Sequence, residues 1–187
     1  IEVEPIPKSI TFIIRHYKYG KKNKACLSNM VSLADNLISS GYSIRWMSFQ
    51  PGYDEPSINV IRDRKEEVWE WDPMSMSIED GYRYIAESCA VVTARMHGTY
   101  IAGQLGRPSL GLSLHPKLEY AANCFENATC VDPQDSLGIL SKAKSPLLDS
   151  TNTEFCNHSV QSDLEEMMKV ILRWINEGDL APESWSD

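Results

Sequence analysis

The chain has 187 residues, enough for one domain with a full core and too few for two comfortable ones. Hydrophobic residues make up 42% and charged residues 24%, the balance of an ordinary globular protein, with no apolar run long enough to suggest a membrane span. A net charge of −8 argues against non-specific binding to nucleic acid, which needs a basic face.

That charge is uneven. No acid occurs from Pro5 to Ala34, while Lys8, Arg15, Lys18, Lys21, Lys22 and Lys24 all fall there. The stretch reads as a local anion-attracting surface or as a solvated basic loop. Ile1 to Lys8 is acidic and broken by proline, unlike a signal peptide. The chain does not open on methionine, so a piece of a longer protein is expected. Five scattered cysteines without a C-x-x-C pair suggest structural thiols in a reducing compartment, and a cytoplasmic location is expected. No metal-ligand spacing is visible, and no metal or cofactor is expected.

In chain order, Ile10–Ile14 reads as a strand. Cys26–Ser39 has helical periodicity through Met30, Ala34, Leu37 and Ile38, stopped by Gly41. Ile44–Phe49 predicts a second strand, followed by a turn at Pro51-Gly52. Ser57–Arg64 fits a short helix, and Val68–Trp71 a third strand. Ile78–Glu87 is helical, with Ser77 as its N-cap. Cys89–Thr93 is an apolar strand of the kind buried on both faces. Gly98–Leu105 reads as a helix ended by Gly106, Pro108–Leu112 as a strand, and Pro116–Phe125 as a helix with proline in its first turn. Thr129–Val131 is a last short strand. Lys144–Asn157 reads as a surface excursion and Leu164–Ile175 as an amphipathic helix. Strands alternating with helices through short connections predict a doubly wound parallel sheet, a Rossmann-like α/β domain covering residues 1–187.

In such sheets ligands bind outside the carboxyl ends of the strands. The first strand ends at Arg15-His16, the Cys89–Thr93 strand at Arg95-Met96-His97, and the Pro108–Leu112 strand leads to His115-Pro116-Lys117. These ends carry two arginines, three histidines and a lysine, and no acid. A helix starting near His97-Gly98 adds unpaired N–H groups and the positive end of its dipole, worth about 0.3–2 kcal/mol to an anion. Gly98 would let backbone approach a ligand, and Arg95 offers a fork for carboxylate or phosphate. Lys117 supplies a point charge. Singly, each has a bland reading: Arg95 as a salt bridge, His97 as a cap, Lys117 as a solvated helix start. Trp46, Trp69 and Trp71 read as packing residues rather than a stacking platform. Together, three basic strand ends on an acidic protein mark a site for a compact, multiply charged anion.

The run Ala86-Glu87-Ser88-Cys89-Ala90-Val91-Val92-Thr93-Ala94-Arg95-Met96-His97-Gly98-Thr99-Tyr100-Ile101-Ala102-Gly103-Gln104-Leu105-Gly106-Arg107-Pro108, followed by a strand and His115-Pro116-Lys117, resembles the polysaccharide pyruvyl transferase family. The likeness is specific from about Tyr82 to Phe125. It is weaker but collinear from Ile10 to Asp54, taking in Arg15 and the Asp54 that follows the second strand. Met96 stands where leucine is commoner. The resemblance implies two Rossmann-like halves similar to GT-B glycosyltransferases, of which this chain resembles the C-terminal one, with an N-terminal half as partner. It also implies phosphoenolpyruvate as donor and a pyruvyl ketal formed on a saccharide acceptor. Arg95 and His97 fall on the family's Arg-x-His motif, Lys117 on its later lysine and Arg15 on its first-strand arginine.

The expected roles follow. His97 is the general acid, since an unperturbed imidazole can deliver a proton near neutral pH. Lys117 acts with it in catalysis, and Arg15, Arg95, Gly98, Thr99 and His115 bind substrate. Two other readings stay open: a GT-B glycosyltransferase half that takes a nucleotide sugar, and a non-catalytic module that binds an anion or a sugar.

Overall fold

The computed structural model describes residues 3–17, 21–72 and 74–144. All belong to one compact unit, 1–153. The expected excursion at 144–157 lies outside the described residues except for its first, Lys144, and the expected helix at 164–175 lies outside them altogether.

Among the described residues, six parallel strands alternate with six helices: β1 (Ser9–Ile14), α1 (Lys21–Ser39), β2 (Ser43–Ser48), α2 (Pro51–Asp63), β3 (Val68–Glu70), α3 (Ile78–Ala86), β4 (Ala90–Thr93), α4 (Met96–Gln104), β5 (Ser109–Leu112), α5 (Pro116–Ala122), β6 (Ala128–Val131) and α6 (Ser136–Lys144). The sheet order is β3-β2-β1-β4-β5-β6, the doubly wound order of a Rossmann domain. The winding reverses between β1 and β4, which pair in parallel from Ile10↔Ala90 to Ile13↔Thr93.

Burial follows from this order. The central strands β1, β4 and β5 are buried at every residue, whereas β3 at the edge is only half-buried. Along β1 the side chains alternate between faces. Ile10, Phe12 and Ile14 join Met30, Leu33 and Leu37 of α1, Ile58 and Ile61 of α2, and Ile139 of α6. Ile13 points the other way and packs with Val91, Ile85 of α3 and Ile101 of α4. Helices thus cover both faces.

Several expected boundaries move. Pro51-Gly52 is not a turn but the first turn of α2, so that helix begins six residues before the expected Ser57. Proline at the first helical position already has the φ a helix needs and lacks an N–H that would have no partner there. The shift puts Asp54 in the first turn, where the dipole favours a carboxylate. α1 starts at Lys21 rather than Cys26, and α5 stops at Ala122 rather than Phe125. α6 was not expected. The Ser77 cap is present as a capping box with Asp80. Gly106, at φ 66°, ends α4 as expected.

Candidate functional site

The carboxyl ends of β1, β2 and β4 meet on a single buried carboxylate. Asp54 is fully buried. Its Oδ1 accepts from the backbone N–H of His16 at 2.8 Å and from Arg95 Nη2 at 2.7 Å. Its Oδ2 accepts from the Ser48 hydroxyl at 2.8 Å and from the same Nη2 at 2.6 Å. Each oxygen therefore has two donors, which fills the acceptor capacity of a carboxylate. Ser48 ends β2, His16 follows β1 and Arg95 follows β4, so one side chain ties three strand ends together.

Arg95 is held on every nitrogen. Besides Asp54, its Nη1 donates to Gln50 Oε1 at 3.0 Å and its Nε to the Ile14 carbonyl at 3.2 Å. Its backbone N–H donates to Thr93 Oγ1 at 3.0 Å. Arg95 is only 7% exposed. Burial pushes it below its ordinary pKa, Asp54 opposes that push through charge and hydrogen bonding, and the nearby Arg15 adds to it. Arg95, expected to fork onto a ligand, has all three guanidinium nitrogens engaged within the protein here, Nη2 on Asp54 and the others on Gln50 and Ile14. A buried guanidinium without a carboxylate would be costly. The residues that follow these strands carry no acid, and the carboxylate at the junction enters from α2 instead.

Arg15 lies differently. It is half-buried, its guanidinium stacks over the Tyr17 ring at 4.8 Å, and its Nε is buried with no hydrogen-bond partner among the described residues. Among the described residues no carboxylate pairs with its charge. His16 adds an edge-on contact with Tyr53, 6.2 Å between centroids, and Tyr53 is half exposed.

α4 opens beside this cluster. His97 is its second residue and is exposed. No side chain caps the helix, and among the described residues the N–H groups of Met96 and His97 have no acceptor. Thr99, in the same first turn, is fully buried with an unpartnered hydroxyl. Gly98 has a reason other than the expected one. A Cβ there would collide with Thr93 Oγ1 and lie 2.7 Å from Ile13 Cδ1, and the Gly98 N–H already donates to the Arg95 carbonyl at 3.0 Å. The glycine lets α4 seat closely on β1 and β4.

The β5 end is different again. Ile13, Thr93 and Gly111 lie side by side across β1, β4 and β5. At a strand spacing of about 4.8 Å, the chain leaving β5 is about 10 Å from that leaving β1. His115 caps α5, its Nδ1 accepting from the Lys117 N–H at 3.2 Å. Ser113 donates to Glu119 at 2.6 Å. His115 and Lys117 are exposed, and no hydrogen bond or ion pair joins either to Arg15, Arg95 or His97. The structure thus brings Arg15, Arg95, His97 and Thr99 to one junction, with His115 and Lys117 one strand further along.

The other candidates fall away from this junction. Trp46 is buried and donates to Glu66, Trp69 stacks on Tyr84, and Trp71 packs on Phe49, as expected for packing residues. Burial pushes the Cys26 thiol up to about 12 and Cys130 to about 11, which removes both as nucleophiles. No group of three or more metal-ligating side chains occurs among the described residues. No helix among them is long and apolar enough to cross a membrane.

A sequence profile of the polysaccharide pyruvyl transferase family matches residues 2–116, well over half of the chain. The chain belongs to that family. The match takes in Arg15, Asp54, Arg95 and His97 and stops one residue short of Lys117. No curated protein matches the chain. Among solved structures, a Listeria monocytogenes protein titled as a UDP-N-acetylglucosamine 2-epimerase is similar at 12% identity with a TM-score of 0.55, covering 94% of this chain and 47% of that one. MnaA of S. aureus, solved with UDP, is similar at 11% identity with a TM-score of 0.53, covering 88% and 45%. At these identities the likeness is one of fold. The chain spans under half the length of the solved structures it matches.

Proposed function

We propose that this chain is the C-terminal, donor-side half of an enzyme that moves the pyruvyl group of phosphoenolpyruvate onto a saccharide as a ketal. The observation that carries the reading is the β1–β4 junction, where the family's Arg-x-His segment opens an uncapped helix beside the underused guanidinium of Arg15. The donor is a three-carbon frame bearing a phosphate and a carboxylate, so it needs two anion sites and a proton source.

In the proposed mechanism Arg15, the α4 N–H groups and the Thr99 hydroxyl receive the donor's anionic groups. Each charged hydrogen bond is worth about 1.5–3 kcal/mol. His97 protonates the methylene carbon, which makes the neighbouring carbon electrophilic. One saccharide hydroxyl adds there and returns its proton to the His97 imidazole; the bond from that carbon to the phosphate oxygen then breaks, and phosphate departs with the proton of the second hydroxyl, its charge met by Arg15 and Lys117. A second hydroxyl closes the ketal, and no metal or cofactor enters. Arg95 reaches the donor through the parts it holds. The saccharide site would lie largely in the N-terminal half, and the donor places the reaction in the cytoplasm.

The test is steady-state pyruvyl transfer by the full-length enzyme. His97→Ala and Lys117→Ala should each cost turnover, and wild-type turnover in both would sink the proposal. A second reading rests on the likeness to a protein solved with UDP: the same junction in this chain would take a nucleotide sugar. Soaks with phosphoenolpyruvate and with UDP separate the two, and UDP alone at the α4 start would favour the second.

A further inference from the structure

We infer that Asp54 is a positioning residue for donor binding, and that it acts through Arg95 and the segment after β1 to present Arg15. This deepens the proposed function and rests on it.

The geometry supports a directed role over plain core packing. Asp54 spends one of its four hydrogen bonds on the backbone N–H of His16, the residue next to Arg15. Arg95, held by two more, donates its Nε to the carbonyl of Ile14, the residue on the other side of Arg15. Arg15 is therefore gripped by its two neighbours, through a carboxylate and a guanidinium that belong to α2 and the start of α4. Its own side chain receives none of these bonds, and its Nε is buried without a partner among the described residues. A protein that needed only to bury Arg95 safely would have no need to fix the flanks of Arg15 with the same pair. The arrangement also divides labour between the two arginines. Arg95 sets geometry at the junction, and Arg15 meets the anion.

Affinity of the full-length protein for inorganic phosphate and for phosphoenolpyruvate, measured by calorimetry beside thermal denaturation, tests this. Asp54→Asn should raise the Kd for both anions by tenfold or more in protein that is still folded, with the acceptor KM unchanged. Removing Asp54 alone leaves Arg95 buried and unpaired, so the Asp54→Asn/Arg95→Met variant, which removes the charge pair together, is measured beside it. It should stay folded and show the same weakened anion affinity, no worse than the single variant, because the two residues act as one unit. Arg15→Ala should weaken phosphate binding at least as much. A merely structural Asp54 would lower the melting temperature and leave Kd unchanged, which overturns the inference. An Arg95 that binds the donor directly would be released by Asp54→Asn, so a lower Kd overturns it too. Phosphate binding that weakens as expected, in a protein that does not bind phosphoenolpyruvate, would remove the donor reading and leave the positioning role standing.

Discussion

The β1–β4 junction and the β5 end start from the same ingredients and finish as different objects. Each has a strand running into basic residues and a helix: Arg15-His16 and Arg95-Met96-His97 at the first, His115-Pro116-Lys117 at the second. At the junction, Arg95 is buried and bound on every nitrogen, and a carboxylate from a third element completes the cluster. At the β5 end the histidine only caps its helix, and the lysine stands in solvent. The lesson is that a basic residue after a strand acquires its role from what packs over it. Burial converts Arg95 into a structural pair, while Arg15 has no ion-pair partner among the described residues.

The largest effect that would break this comparison is on turnover. His97→Ala in the full-length enzyme should reduce pyruvyl transfer by about 10²–10⁴-fold. Because His97 is exposed, its unfolding free energy should stay within about 0.5 kcal/mol of wild type. Equal losses in both measurements would move His97 out of the chemistry. Next comes Arg95→Met, which strands Asp54 without its cation and should cost about 3–5 kcal/mol in denaturant unfolding. A loss below about 1 kcal/mol would mean that the two regions are not so different after all. Gly98→Ala should cost about 1–3 kcal/mol through overpacking against Thr93 and Ile13. A stable variant that fails only in donor binding would restore the ligand-approach role to that glycine. The smallest effect sharpens the β5 side. His115→Ala should cost roughly 1 kcal/mol as a lost cap, His115→Asn should recover most of it, and donor affinity should change less than twofold in both. A larger change in affinity would bring His115 into the donor site.

Much of the fold was legible because its strongest signals are local. The apolar runs ending at Ile14 and Thr93 announce central strands, and the alternation with helices implies the parallel sheet. α2 was misread because Pro51-Gly52 serves a turn and a first helical turn equally well. α6, Ser136–Lys144, is short and carries Gly138 in its first turn, which weakens a helical reading. At the site, the residues after strands were found and their partnerships were not. Arg95 and Asp54 are separated by 41 residues, and nothing local says that they meet. Asp54 was visible as the acid after the second strand, yet its depth was hidden while the start of α2 was put at Ser57. The reason for Gly98 was likewise a contact with β1 and β4, invisible without their packing.

The strand order has a consequence for how this chain is made. β1 pairs early with β2, but its other edge waits for β4, with Ile10 opposite Ala90. Those positions are 80 residues apart, so at a synthesis rate of about 5–20 residues per second the wait is about 4–16 s. For that time the most apolar strand of the sheet presents an open hydrogen-bonding edge, the kind of surface that recruits chaperones or neighbouring chains. The same pairing that builds the β1–β4 junction is therefore the late step that closes this edge, so the junction and protection from aggregation would arrive together during synthesis.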